Sequence, residues 1–169
     1  RMLGDGAGDR TVAEMADGLT PDQVAHLRAF YWSRAAREMG GDGAPGDASG
    51  GGLVLDKLPM RILLLPLVNR LFPEARVLVA LRDPRDVCLS CLRQRFAMNV
   101  PMSFFLDLED TARLYAHTMG SWLAARDAYS LAWLEIRYED TVADFPTRMA
   151  EILRFLGLAW DDAVLSFHE

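Results

Sequence analysis

The chain has 169 residues and a formal net charge of −6. That acidic balance excludes a protein that coats nucleic acid, because gripping a phosphate backbone needs a basic patch or stripe; a single nucleotide, held by a few local donors, stays within reach. A single domain of this size buries roughly 70% of its unfolded surface, so a real core is expected, and no apolar run approaches the roughly 20 residues that cross a membrane.

In chain order, Thr20-Pro21-Asp22 supplies a cap and a first-turn proline for a helix running to about Met39, with Val24, Leu27, Phe30 or Tyr31, and Arg34 on one side. Residues 40–52 are too rich in glycine and too poor in apolar side chains to pack, which predicts a flexible surface loop. Two readings of it stand: a lid over a neighbouring site, or an inert insertion. The loop leads into a short strand, Gly52 to Leu55, followed by Asp56-Lys57-Leu58-Pro59. Met60 to Phe72 has helical spacing in Met60, Leu63, Leu64, Leu67 and Leu71, with Pro66 expected to kink or split it.

The most specific stretch runs from Ala75 to Ser90. Arg76 to Leu81 is almost continuously apolar and branched, as a strand of a parallel sheet is. Asp83 can cap the following helix and Pro84 suits its first position. Arg82, just before the cap, can offer a planar fork of donors to an anion, and Ser90 lies about two turns into the helix. A guanidinium and a hydroxyl therefore flank the carboxyl end of a strand, where open parallel sheets bind ligands. The plainer alternative has Arg82 paired with a nearby carboxylate and Ser90 bonded back to its own helix.

Cys88 and Cys91 fall inside that helix as Cys-x-x-Cys. A zinc site would want two more ligands, and His26, His117 and His168 are scattered; a redox pair would sit at the helix start. Reduced cysteines packed as small apolar residues, and no metal, are the expectation, which suits a cytoplasmic setting. Met98 to Phe105 shows no period. Asp107 to about Ala128 reads as a long helix with Leu108, Ala112, Tyr115, Met119 and Trp122 inward. A further strand, Leu131 to Ile136, precedes Tyr138-Glu139-Asp140, whose acids read as turn and cap formers. Asp144-Phe145-Pro146 starts a last helix with Met149, Ile152, Leu153 and Leu156 as its core stripe and Gly157 as its stop.

Leu55-Asp56-Lys57-Leu58-Pro59, Leu71-Phe72-Pro73-Glu74-Ala75-Arg76, Arg82-Asp83-Pro84-Arg85-Asp86 with Ser90, and Arg137-Tyr138-Glu139-Asp140 occur in this order over residues 53–169. In that combination the chain resembles the sulfotransferases that use 3′-phosphoadenosine-5′-phosphosulfate (PAPS), especially the bacterial branch often fused to tetratricopeptide repeats, and is also similar to the protein-tyrosine sulfotransferases. The resemblance implies an α/β fold, a three-layer parallel sheet flanked by helices of the P-loop NTPase-like sulfotransferase type, incomplete at both ends, with residues 1–169 as a partial sulfotransferase domain.

It further implies that Arg82 and Ser90 hold the donor's 3′-phosphate and that Tyr138 lies near the adenine. There Tyr138 either stacks on the base or packs with its hydroxyl tied to backbone. Lys57 falls on the lysine set against the bridging oxygen and sulfuryl group, where an ammonium stabilises charge developing on the leaving phosphate; a lysine is otherwise a solvated surface charge. Met98 to Phe105 falls where relatives line the acceptor, or plugs the core. The implied partners are the nucleotide donor and an acceptor hydroxyl or amine, with tetratricopeptide repeats expected in the parent chain. The family's Ser-Gly-Thr loop for the 5′-phosphosulfate is missing; Asp5 to Asp9 would repel the anion, and Phe167-His168-Glu169 reads as an early end. An internal fragment, weak or inactive by itself, is the expectation. The general base is not assignable among Glu14, Glu38 and His26. Two other classes remain: a decayed domain serving as a nucleotide-binding or interaction module, and a nucleotide kinase-like phosphotransferase, which would need the Gly-x-x-x-x-Gly-Lys loop that is absent here.

Overall fold

The computed structural model describes residues 11–38, 53–97 and 100–166. The expectations placed on Asp5 to Asp9, on the loop at 40–52, on Met39 and Met98, and on Phe167 to Glu169 lie outside these. The chain divides into two compact units, one ending at Pro73 and the other starting at Glu74.

The first unit is built on helix α1 (Val12–Asp17), helix α2 (Pro21–Glu38) and helix α3 (Leu65–Leu71). Thr11 and Glu14 close a reciprocal capping box at the start of α1, and Thr20 and Gln23 exchange the same pair of bonds at the start of α2. Both helix starts are thus specified locally. Tyr31, Trp32 and Phe72 form an aromatic cluster, with centroids 5.0–5.7 Å apart. Of the two candidates for the inward position of α2, Tyr31 packs, whereas Phe30 is 60% exposed and Arg34 is also exposed. The guanidinium of Arg28 donates to the Leu71 carbonyl at 2.7 Å and that of Arg70 to the Leu19 carbonyl at 2.9 Å. Pro66 does split its helix: Pro59–Leu64 is a 3₁₀ segment, and α3 begins one residue before the proline. Of the strand expected at Gly52 to Leu55, the described residues form none; residues 53–58 are neither helix nor strand. A strand is stable only when a neighbour takes up its backbone groups, and the apolar run gives no information about one.

The second unit holds the sheet. Strand β1 (Arg76–Leu81) and strand β2 (Ala132–Arg137) pair in parallel, in register from Arg76 opposite Ala132 to Leu81 opposite Arg137. The crossover between them passes through helix α4 (Pro84–Arg93), helix α5 (Val100–Ser103), a 3₁₀ turn at Phe104–Leu106 and helix α6 (Leu108–Ala125). Beyond β2 come helix α7 (Tyr138–Ala143) and helix α8 (Phe145–Leu156). The described sheet has two strands, so parallel α/β order is present and a three-layer sheet is not.

The core of this unit draws on Val79 of β1, Cys88 of α4, Thr111 and Trp122 of α6, and Leu131 just before β2. Trp122 is 2% exposed and packs edge-on to Trp133, while its indole N–H donates to Glu135 at 2.8 Å. Leu108 and Ala112, expected to face inward, are exposed, and Thr111 is buried instead. The Thr111 hydroxyl reaches both the Phe104 and Asp107 carbonyls, which lets a polar side chain occupy a core position. The helix also ends at Ala125, with Arg126–Ala128 in a 3₁₀ turn. At the end of α8, Gly157 adopts φ 74°, the left-handed geometry glycine takes without strain.

Candidate anion site beyond the parallel strands

β1 and β2 are offset by 56 positions, and the offset continues after the ladder stops. Leu81 and Arg137 are the last paired residues, and the next two pairs meet through side chains. The Arg82 guanidinium lies over the Tyr138 ring, 4.6 Å from its centroid. One step further, the Glu139 carboxylate accepts the Asp83 backbone N–H at 2.8 Å. Two strand-to-helix corners are therefore joined side by side at the carboxyl end of the sheet.

The first corner is fixed by its own residues. Asp83 caps α4 by accepting the Arg85 N–H at 2.9 Å, and Pro84 opens the helix. The same carboxylate takes two bonds from the Arg85 guanidinium, at 3.0 and 2.6 Å. These bonds, the Arg85 side chain first among them, hold the Asp83 carboxyl well below the usual carboxylate range. Arg85 is 91% exposed and has its charge taken up locally, which leaves Arg82 as the cation of this corner aimed along the helix.

Arg82 reaches Asp86, with Nη2 at 3.1 Å from Oδ2, so the guanidinium is held from two sides, by a carboxylate on α4 and by the Tyr138 face. This is the plainer of the two sequence readings of Arg82, a pairing with a nearby carboxylate. The pair is open to water, with side chains 43% and 56% exposed, and such pairs contribute at most about 1 kcal/mol. Ser90 is also exposed and follows Asp86 by four residues, on the same face of α4 and about 6 Å further along its axis. Arg82, Asp86 and Ser90 thus form one stripe. Val87, Cys88, Cys91 and Leu92 form the opposite, packed face. Both cysteines are free thiols whose pKa burial raises, which suits apolar packing and not nucleophilic or metal-binding use. Among the described residues, no cluster of His, Cys, Asp and Glu could hold a metal ion.

Lys57 belongs to the first unit and is exposed. Its neighbour Asp56 is anchored there, accepting the Tyr31 hydroxyl at 3.0 Å and pairing with Arg61 at 2.8 Å. Burial and the Asp56 carboxylate both push the Tyr31 pKa up. Of the sequence candidates, then, Arg82 and Tyr138 are in contact, and Ser90 shares a helix face with the Arg82 partner.

Two contributors are not named by the sequence reading. Asp86 follows Arg82 at i,i+4 spacing, a readable sign of which carboxylate pairs with it. Glu139 reads as a turn or cap former; its partner across the sheet depends on strand register, which nothing local encodes. A cavity of about 170 Å³ opens beside this site, lined by Leu81, Ile136, Arg137, Asp140, Arg148 and Glu151 among others. It is smaller than the usual ligand cleft, and with Glu135 also in its wall its two arginines face three acids.

Among known proteins, an uncharacterized protein of Aquifex aeolicus (strain VF5) is 27% identical over 121 residues, covering 69% of this chain and 15% of that relative's length. The chain therefore spans under a sixth of the relative it matches. No solved structure matches it. The described residues contain no helix long and apolar enough to cross a membrane. The family profile described as "Sulfotransferase family" matches residues 9–162, most of the chain and both corners of the candidate site, and the chain belongs to that family.

Proposed function

We propose that this chain carries the donor-binding part of a sulfotransferase that moves a sulfuryl group from PAPS to a hydroxyl or amine. The observation that carries this is the stripe of Arg82 and Ser90 beside the Tyr138 ring, past the carboxyl ends of two parallel strands in a chain of this family. The donor set suits a phosphate dianion: a guanidinium fork gives bidentate bonds and a hydroxyl adds one more. Asp86 engages only Nη2, and an exposed pair of this kind yields to a stronger anion at small cost. Tyr138, with one face under Arg82, is 51% exposed and available near a base.

When bound, the donor supplies the activated sulfuryl group, and its transfer leaves negative charge on the departing phosphate. Lys57 is the residue proposed to stabilise that charge, by the electrostatic effect of its ammonium. Positioning and charge stabilisation carry such displacements, since there is little covalent chemistry for the protein to do.

Calorimetry with adenosine 3′,5′-bisphosphate and adenosine 5′-phosphate tests the reading. The bisphosphate is expected to bind more tightly, and Arg82→Ala should remove about 1–3 kcal/mol of that preference, the scale of a charge-assisted hydrogen bond. Because Arg82 is half-exposed, the larger loss that follows from stranding a buried charge is not expected. Equal affinity for the two nucleotides in the unaltered chain would overturn the assignment.

A further inference from the structure

We propose that Glu139 is a positioning residue for anion recognition, tying the corner after β2 to the corner after β1 so that Arg82 is set before any anion arrives; this rests on the reading of Arg82 as the 3′-phosphate ligand. The two groups that hold the Arg82 guanidinium come from different corners, Asp86 from α4 and Tyr138 from the first position of α7. They can act together only while the corners keep their register. The backbone ladder that sets the register stops at Leu81 and Arg137. The next link is the Glu139 carboxylate on the Asp83 N–H, at 2.8 Å, and it joins the residue after Tyr138 to the residue after Arg82. As the cap of α4, Asp83 has an N–H with no partner within its own helix, so Glu139 meets a donor that would otherwise face water.

The functional consequence follows from the arginine's length. A half-exposed guanidinium loses rotamer freedom on binding an anion, and every contact that fixes it beforehand reduces that loss. Glu139 bonds the Asp83 N–H, and it acts on Arg82 through the alignment of Tyr138.

Three variants separate reach from charge. Glu139→Gln keeps the length and an accepting oxygen, Glu139→Asp keeps the charge but shortens the arm by a methylene, and Glu139→Ala removes both. The readout is the ratio of affinities for adenosine 3′,5′-bisphosphate and adenosine 5′-phosphate, which a general loss of stability would not shift. Glu139→Ala is expected to lower the ratio about tenfold, Glu139→Asp to lower it by less, and Glu139→Gln to stay within about threefold of the parent, on the scale of one hydrogen bond. A ratio unchanged in Glu139→Asp and Glu139→Ala, or lowered more by Gln than by Asp, overturns the positioning role. If Glu139→Ala does not fold, the Asp and Gln variants decide alone. Equal binding of both nucleotides by the unaltered chain overturns the reading of Arg82 itself, a result distinguishable from failure of the positioning role.

Discussion

The two strand-to-helix corners do the same topological job by different means. After β1, Asp83 caps its own helix, Pro84 opens it, and Arg85 folds back onto the cap. After β2, Arg137 provides no side-chain cap, and the acid of the first turn, Glu139, reaches across to the neighbouring corner. One corner is self-sufficient and the other depends on its neighbour. The difference recurs at the strands. β2 is secured by Glu135, which takes bonds from Trp122 and Arg126 at 2.8 and 2.7 Å, whereas Arg76, at the start of β1, lies against the turn at Gly157. The dependent corner thus follows the strand held through a polar side chain, Glu135, and the self-contained corner follows the strand that carries the buried Val79.

The hardest break in this comparison is Trp122→Ala. It empties a nearly fully buried site and leaves Glu135 with one donor fewer, so a loss of about 3–5 kcal/mol is expected by denaturant unfolding, the range for truncating a buried aromatic. If β2 owes its placement to that anchor, the cation–π contact between Arg82 and Tyr138 should weaken with it. Gly157→Ala probes the other strand and is smaller. The backbone there sits at φ 74°, and an added Cβ would lie 2.7 Å from Arg76 Nη1. The flexible arginine can withdraw, so the cost should be mainly that of the left-handed backbone, about 1–2 kcal/mol. A Tm equal to the parent's would show that this turn does not matter to β1.

Much of this architecture is written in local sequence. The Asp83-Pro84 start and α8 with its glycine stop depend on residues within a turn of one another, and strand β1, though it needs β2 as its partner, also forms where its apolar run predicts. Pairing between distant segments is not written that way. Gly52 to Leu55 had a strand's composition but no specified partner, and Thr111 entered the core only because the Phe104 and Asp107 carbonyls are there to receive it. At the site, Arg82, Ser90 and Tyr138 could be named from motif and resemblance. The contact of Arg82 with Tyr138 and that of Glu139 with Asp83 follow from an offset of 56 residues that only the folded sheet defines.

The mildest test uses acid. The Asp83 carboxyl is depressed chiefly by the Arg85 side chain, and that of Glu139 chiefly by the Asp83 N–H it accepts. A carboxyl depressed by folding stabilises the native state above its unfolded pKa, about 4, and that stability is lost as pH falls through the folded value. Asp83 is depressed further, so its share should persist to lower pH. Glu139 is exposed and Asp83 half-buried beside an exposed Arg85, which keeps the effect small and makes the Asp83–Arg85 part sensitive to salt. Parent, Asp83→Asn and Glu139→Gln should therefore differ in Tm at pH 7, and the Glu139→Gln difference should close first on acidification, with the Asp83→Asn difference closing at lower pH. If the Asp83→Asn difference closes first, the self-contained corner is not held by its capping charge, and the contrast between the corners would have to rest on Pro84 alone.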